Sequence, residues 1–172
     1  MGDVFLDAGE LEKRVDELGA ELSRDYAGLE PVLVGSLKAS IPFICDLSRA
    51  IAIHHALDFV ELAGYGNEDD DHSGVRFLKD LNEEIGGRHI VLVDEVIDTG
   101  LTMNYLVRSL ALRSPASLHA MTLFDRPYRR LVDDLPVRYV GFTIPDEFFV
   151  GYGFDLDERH RNLPDLRLVR AT

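Results

Sequence analysis

Apolar residues recur along this chain with two different spacings. Between residues 10 and 26, Leu11, Val15, Leu18 and Leu22 follow at three- and four-residue steps, which predicts one buried face of a helix. The same spacing predicts helices over 42–53 and 101–112. Short apolar runs predict strands over 31–35, 56–62, 75–78, 89–93, 117–124 and 137–143. Because strands and helices alternate, the pattern predicts an α/β fold around a mostly parallel sheet.

Two stretches do not follow either pattern. Residues 63–74 are polar, acidic and rich in glycine, which predicts a surface loop. The segment from Pro145 onward is also rich in glycine and acidic residues. In contrast, the run 89–93 is unbroken, which is typical of a parallel strand that is covered on both faces. We expect it to lie in the middle of the sheet.

Composition and charge narrow the class of protein. A chain of 172 residues suits one domain, so we expect a single domain over 1–172. Lysine and arginine number 18 against 31 aspartates and glutamates, a net charge of −13 that disfavours nucleic acid as a partner. Cys45 is the only cysteine, the N-terminal segment is acidic, and no apolar run reaches the ~18 residues of a membrane span. We therefore expect a cytoplasmic protein with no membrane partner.

Polar residues that could carry chemistry follow the strand predicted at 89–93. Thr99, Gly100 and Thr102 precede a helix, where backbone N–H groups, hydroxyls and the helix dipole suit a phosphate group. Asp94 and Glu95 stand beside them, and such acids would repel a phosphate unless they bind ribose hydroxyls or act through a divalent cation. An ordinary turn with Thr99 as the helix N-cap remains an alternative at this point.

The stretch HIVLVDEVIDTGLT at 89–102 resembles the phosphoribosyl-pyrophosphate (PRPP) signature of type I phosphoribosyltransferases. Within that superfamily the chain is most similar to the hypoxanthine-guanine phosphoribosyltransferases. Three further blocks in the same order carry that likeness: VGSLK at 34–38, LFDRP at 123–127 and YVGFTIPDEFFVGYGFD at 139–155. The resemblance implies a mostly parallel central sheet flanked by helices, with a small hood formed by the terminal segments. It also implies an enzyme that transfers phosphoribose from PRPP to hypoxanthine or guanine and releases pyrophosphate and a nucleoside monophosphate.

The resemblance also implies roles for individual residues. Asp94 and Glu95 would hold the ribose hydroxyls, and Asp98 would act as acid/base partner of the purine N7 proton. The 5′-phosphate would lie on the turn made by Asp98, Thr99, Gly100, Leu101 and Thr102. Lys38 and Ala39, at a cis peptide, and Arg161 would contact pyrophosphate.

Further implied residues bind the base, the metal and the reacting centre. The base would be bound by Phe148, Phe149, Arg126 and Asp155, with Phe148 stacking on the purine. Mg²⁺ is the implied cofactor, at Asp94, Glu95 and Asp155. Residues 63–74, including Gly64 and Tyr65, would form a flexible loop that closes over the site, and relatives of this kind form homodimers or homotetramers.

This chain departs from the family pattern at four places. Asp94-Glu95 replaces Glu-Asp, Ala39-Ser40 replaces Gly-Gly, and Ala63-Gly64 replaces a pair of serines. Arg126 replaces the lysine that donates to the purine O6, and an arginine fork can bridge two acceptors such as O6 and N7. A modified purine such as a deazapurine is therefore an alternative substrate. A PRPP-sensing regulator without catalytic activity is a second alternative, distinguished by the absence of pyrophosphate release.

Overall fold

A capped helix lies on one face of the molecule. The computed structural model describes residues 2–63 and 75–169. Its first helix, α1, spans Ala8–Asp25 and begins with a capping box, in which Asp7 and Glu10 each accept a hydrogen bond from the other's backbone N–H at 2.9 Å. The predicted apolar positions of α1 are all buried against the core. None of the helices in the described residues is both long enough and apolar enough to cross a membrane.

The predicted helices and strands occur in the predicted order, and the structure adds three short strands and a 3₁₀ helix that were not predicted. The helices are α2 (Ile41–Ala50) and α3 (Leu101–Ala111), and Pro127–Arg129 forms a short 3₁₀ helix. The strands are β1 (Val4–Leu6), β2 (Val32–Ser36), β3 (Ala56–Ala63), β4 (Arg76–Lys79), β5 (His89–Ile97), β6 (Ser117–Asp125), β7 (Val137–Thr143), β8 (Phe149–Val150) and β9 (Leu166–Leu168).

A six-stranded sheet forms the centre of the described residues, in the order β4-β3-β2-β5-β6-β7. All neighbours are parallel except β4, which pairs antiparallel with β3 at the edge. A separate antiparallel sheet of β1, β9 and β8 joins the two ends of the chain and is called the hood below. The fold class predicted from the sequence is therefore confirmed.

Helices cover the central sheet on both faces. On one face α1 and α2 pack Leu18, Phe43 and Leu47 into the larger core cluster. On the other face α3 packs Met103, Leu106 and Leu110 against β2, β3 and β5. The residues between His89 and Asp94 in β5 are at most 1% exposed, so the unbroken apolar run is a central strand as predicted.

Most boundaries agree with the prediction to within about two residues, and two differ by more. The strand expected to end at residue 93 continues to Ile97, because Asp94 and Val96 still pair with β6. The helix expected over 42–53 ends at Ala50, and Ile51 is already extended. The helical apolar spacing continued past the end of α2 because Ile51 and Ile53 still pack on the core from a non-helical backbone.

Candidate functional site

The carboxyl ends of β2 and β5 and the start of α3 surround a cavity of about 270 Å³. In parallel sheets this edge is where ligands bind. Of the residues predicted to contact PRPP, those that line the cavity are Ala39, Asp94, Glu95, Asp98, Thr99, Gly100 and Thr102. Leu101 is the first residue of α3 and lies in the same turn.

Asp94 and Glu95 form a buried acidic pair at the end of β5. Burial raises the pKa of Asp94 well above its usual value, and the neighbouring charge of Glu95 raises it further. Burial also raises the pKa of Glu95, opposed by a hydrogen bond from Asp94 and by the charge of Arg161. Burial therefore disfavours the ionised forms of this pair, whereas a cation or hydroxyl donors in the cavity would favour them.

The turn after β5 leaves backbone donors at the start of α3. Gly100 is the N-cap, with a φ of +83° and no side-chain cap, so the alternative with Thr99 as N-cap is wrong. The Thr99 hydroxyl is instead 3.4 Å from the N–H of Leu101. Helix N-termini of this kind offer free N–H groups and a positive dipole end, which suit a phosphate.

The loop between β2 and α2 places Leu37 and Ala39 in the wall of the cavity, whereas Lys38, between them in sequence, does not line it. The Leu37–Lys38 peptide is cis, as the resemblance implies. Ala39 is not among the non-glycine residues with positive φ, so the exchange of glycine for alanine needs no glycine conformation there. Gly153 does need one, because its φ is +103° and a Cβ would come within 2.2 Å of the Ala39 carbonyl oxygen. A glycine at position 153 thus allows the tail segment to approach the loop closely.

Lys38 and Arg161 meet at a single carboxylate, that of Glu158. Lys38 Nζ lies 2.9 Å from Glu158 Oε2, and Arg161 Nη2 lies 3.0 Å from Glu158 Oε1. Arg161 Nη2 also pairs with Asp155 at 2.9 Å, and its Nη1 donates to the Gly153 carbonyl oxygen at 2.8 Å. Asp155 further accepts a hydrogen bond from the N–H of Glu158 at 2.9 Å. The two predicted pyrophosphate contacts therefore lie side by side.

The three predicted metal ligands do not form one cluster. Across residues 2–63 and 75–169 no group of three or more histidine, cysteine, aspartate or glutamate side chains could hold a metal ion. The charge of Asp155 nevertheless reaches Glu95 and raises its pKa. Any cation here would need further oxygen ligands, from water or a substrate, beside the protein carboxylates.

Asp98 lies between two arginines. Arg126 Nη1 is 3.7 Å from Asp98 Oδ2, and Arg129 Nε is 3.5 Å from Asp98 Oδ1. Asp98 Oδ1 is buried and makes no hydrogen bond to the residues the structure describes. An atom of this kind is available for a proton that a ligand carries.

Phe148, directly before β8, and Phe149, its first residue, lie in different environments. Phe148 is 78% exposed, so its ring face is free to stack on a base. The side chain of Phe149 is 4% exposed and packs in the core, with its ring 5.0 Å from that of Phe5. The Phe149 side chain therefore faces the hood, and any contact between residue 149 and the base would come from its backbone, so its role in base binding stays a prediction.

Several residues around the site were not predicted from the sequence. Arg129, Asp146 and Glu158 each bond to a predicted site residue, yet none has a spacing that singles it out. Asp146 and Glu158 could be found only through the partner each one meets across the fold. Gly64 and Tyr65, predicted for the closing loop, lie outside the described residues.

Comparison with known proteins agrees with this geometry. Residues 2–158 match the family model described as a phosphoribosyl transferase domain. The chain is 39% identical over 167 residues to hypoxanthine-guanine phosphoribosyltransferase of Bacillus subtilis, covering 97% of this chain and 92% of that protein. It is 43% identical over 164 residues to hypoxanthine phosphoribosyltransferase of Salmonella typhimurium, covering 94% and 92%. A crystal structure of a hypoxanthine-guanine phosphoribosyltransferase from Bacillus anthracis superposes with a TM-score of 0.92 at 39% identity, over 99% of both chains.

Proposed function

The chain belongs to the hypoxanthine-guanine phosphoribosyltransferase family, and on that premise we propose that it transfers the 5-phosphoribosyl group of PRPP to a 6-oxopurine, hypoxanthine or guanine. The bond between ribose C1′ and the pyrophosphate oxygen breaks, and a bond from C1′ to a ring nitrogen of the purine forms. The observation that carries the proposal is that Asp94, Glu95 and Asp98 line one cavity with the glycine turn that starts α3.

The proposed binding of PRPP follows the charges of the cavity. The N–H groups at Gly100 to Thr102 would take the 5′-phosphate, and Asp94 and Glu95 would accept the ribose hydroxyls. Lys38 and Arg161 would take the pyrophosphate, since they meet at one anionic point beside the cavity. In this arrangement the pyrophosphate leaving group would bind at one end of the cavity and the 5′-phosphate at the other.

Asp98 is the proposed acid/base residue. Its buried Oδ1, which has no hydrogen bond within the described part of the chain, suits the N7 proton of the purine, and Phe148 would stack on the ring. The transition state at C1′ has oxocarbenium character, which the acids beside it stabilise.

Mg²⁺ is the proposed cofactor, and the donor set fits it. Asp94 and Glu95 are buried carboxylates whose pKa values are raised by burial, so a hard divalent cation would offset the cost of their ionisation. One or two of Asp94, Glu95 and Asp155 would hold it together with substrate oxygens. When bound, the cation neutralises charge on the pyrophosphate leaving group.

The experiment that tests the function is a base panel. The protein is incubated with PRPP, MgCl₂ and hypoxanthine, guanine, xanthine, adenine or a deazapurine, while pyrophosphate and nucleotide are measured. We expect turnover with hypoxanthine or guanine and none with adenine. Binding of PRPP with no turnover on any base would overturn the proposal in favour of a PRPP sensor.

A modified purine remains the second candidate, favoured by Arg126 at the position of the family lysine. Running Arg126→Lys beside the parent protein decides between them. If the parent turned over only the deazapurine and Arg126→Lys changed that turnover, the second candidate would be supported. If the parent and Arg126→Lys both turned over hypoxanthine or guanine, a modified purine would be excluded as the main substrate.

A further inference from the structure

The two terminal nitrogens of the Arg126 guanidinium have different partners. Its Nη2 donates to Asp146 Oδ1 at 2.8 Å and to the Glu147 carbonyl oxygen at 2.9 Å. Its Nη1 points the other way and lies 3.7 Å from Asp98 Oδ2. The side chain is only 12% exposed, so these partners define its environment. The fork therefore does not present both arms to a ligand, contrary to the expectation that it bridges O6 and N7.

Asp146 also forms a longer ion pair with a second arginine. Arg129 Nη1 lies 3.6 Å from Asp146 Oδ1, while Arg129 Nε lies 3.5 Å from Asp98 Oδ1. Two guanidinium groups thus span the gap between Asp146 at one end and Asp98 at the other. Asp146 is on the segment after β7 and Arg126 follows β6, so the anchor joins two loops of the site.

Without Asp146, the nearest carboxylate for both arginines would be Asp98. An arginine fork forms two parallel hydrogen bonds to a carboxylate when it is free to do so. Such a pair would occupy both Asp98 oxygens and draw Nη1 away from the base. A lysine at position 126 has one ammonium group and no second arm to restrain.

We propose that Asp146 is a positioning residue that sets base selectivity: it holds one arm of Arg126 so that the other arm donates to the 6-oxo group of the purine. The inference rests on the proposed function, since it assigns the selectivity of the same site. With Nη2 held, Arg126 would present one cationic end to the base, as the family lysine would with its ammonium group.

A double-mutant cycle tests the inference. The proteins are the parent, Asp146→Ala, Arg126→Lys and the combination of both, with Asp146→Asn as the conservative variant. Asp133→Ala is the matched control, because it removes one exposed carboxylate from the segment between β6 and β7. KM and kcat are measured for hypoxanthine and for PRPP, together with selectivity against adenine and the thermal midpoint.

We expect Asp146→Ala to raise KM for hypoxanthine about tenfold and to lower selectivity against adenine by a similar factor, as loss of a charged hydrogen bond does. KM for PRPP should stay within about twofold, since Asp146 does not reach that part of the site. When Arg126→Lys is already present, adding Asp146→Ala should raise KM for hypoxanthine by less than about threefold. Asp146→Asn should restore most of the loss, because its amide oxygen still accepts from Nη2.

The inference is overturned if Asp146→Ala leaves KM for hypoxanthine unchanged. It is also overturned if Asp146→Ala raises this KM by the same factor in the parent and in Arg126→Lys. If Asp146→Ala raised KM for PRPP by the same factor as KM for hypoxanthine and also lowered the thermal midpoint, the role of Asp146 would be merely structural. Binding of inosine 5′-monophosphate by calorimetry to the same four proteins reports the same coupling without turnover. A parent protein that turns over no 6-oxopurine would refute the proposed function, while the calorimetric coupling would still decide the role of Asp146.

Discussion

The backbone N–H of Leu131 donates a hydrogen bond to the carbonyl oxygen of Thr99 at 2.9 Å. The N–H of Arg126 makes a similar bond to the Ile97 carbonyl oxygen at 3.0 Å. These two bonds lie on either side of Asp98 in sequence and fasten the loop after β6 to the turn that starts α3. The proposed base side and phosphate side of the site are thus one connected backbone unit.

The first prediction concerns Gly100 in that unit. A Cβ at Gly100 would lie 3.0 Å from Leu135 Cδ1 and 3.1 Å from Arg130 Cδ, and the φ of +83° is unfavourable for alanine. We expect Gly100→Ala to lower the free energy of unfolding by about 1–2 kcal/mol from the left-handed backbone alone. Because the side chains it would push lie in the joined loop, KM for PRPP should rise about tenfold.

Gly28→Ala is the matched control for Gly100→Ala. Gly28 has a φ of +77°, and a Cβ added there would meet no heavy atom of the described residues within 4 Å, so this variant isolates the backbone cost. We expect a similar loss of thermal stability and an unchanged KM for PRPP. If both variants kept the parental KM, the turn at Gly100 would not be the phosphate site.

The second prediction concerns Asp98. Asp98→Asn keeps the size of the side chain but removes its ability to take a proton, so kcat should fall about 10²–10⁴-fold. KM for PRPP should change little, because the proposed phosphate site consists of backbone N–H groups. Steady-state kinetics with Asp133→Asn as the charge control measure this. A kcat within threefold of the parent would remove Asp98 from the chemistry.

The sequence predicted the parts of the site that lie on one continuous segment. Asp94, Asp98 and Gly100 follow a single strand, so their neighbourhood depends on local geometry that the residue pattern reveals. Asp146 meets Arg126 from 20 positions away, and Glu158 meets Lys38 from 120 positions away. Such contacts depend on how loops pack at the sheet edge, which no periodicity encodes. The strand β8, which begins at Phe149 directly after Phe148, is only two residues long, too short for a repeating pattern.

The third prediction is a pH dependence of stability in the metal-free protein. Burial raises the pKa of Asp94, so the folded state holds a proton on this carboxyl at pH values where the unfolded chain has released it. The stability contribution is present below the unfolded pKa and is lost as pH rises through the raised folded pKa. Between those two pKa values the free energy of unfolding falls by about 1.4 kcal/mol for each step of one in pH. Asp94→Asn removes this titration.

Urea unfolding of parent and Asp94→Asn between pH 4 and pH 9, with chelator present, measures the difference. We expect Asp94→Asn to gain stability relative to the parent as pH rises, because the parent alone must bury a charge there. Asp133 is exposed, so Asp133→Asn should show the same pH dependence of the free energy of unfolding as the parent. A difference between Asp94→Asn and the parent that does not vary with pH would show that Asp94 carries its charge in the folded state without cost.

The last prediction concerns competition for the proposed pyrophosphate contacts. Lys38 and Arg161 both bond to Glu158, and these bonds hold the pKa of the Glu158 carboxyl below its usual value, so the group is anionic. Pyrophosphate must displace that carboxylate to reach the same two cations. Glu158→Gln keeps the shape and removes the competing charge, so the inhibition constant of pyrophosphate and KM for PRPP should both fall.

The expected change is about two- to fivefold, because exposed ion pairs are weak. Asp157→Asn is the control, since it is adjacent, exposed and equally charged but does not bond to either cation. Product inhibition by pyrophosphate, measured at fixed hypoxanthine, separates this effect from any change at the base. If Glu158→Gln bound pyrophosphate more weakly than the parent, the carboxylate would be orienting Lys38 and Arg161 for the ligand, whereas equal affinity would place the pyrophosphate on other residues.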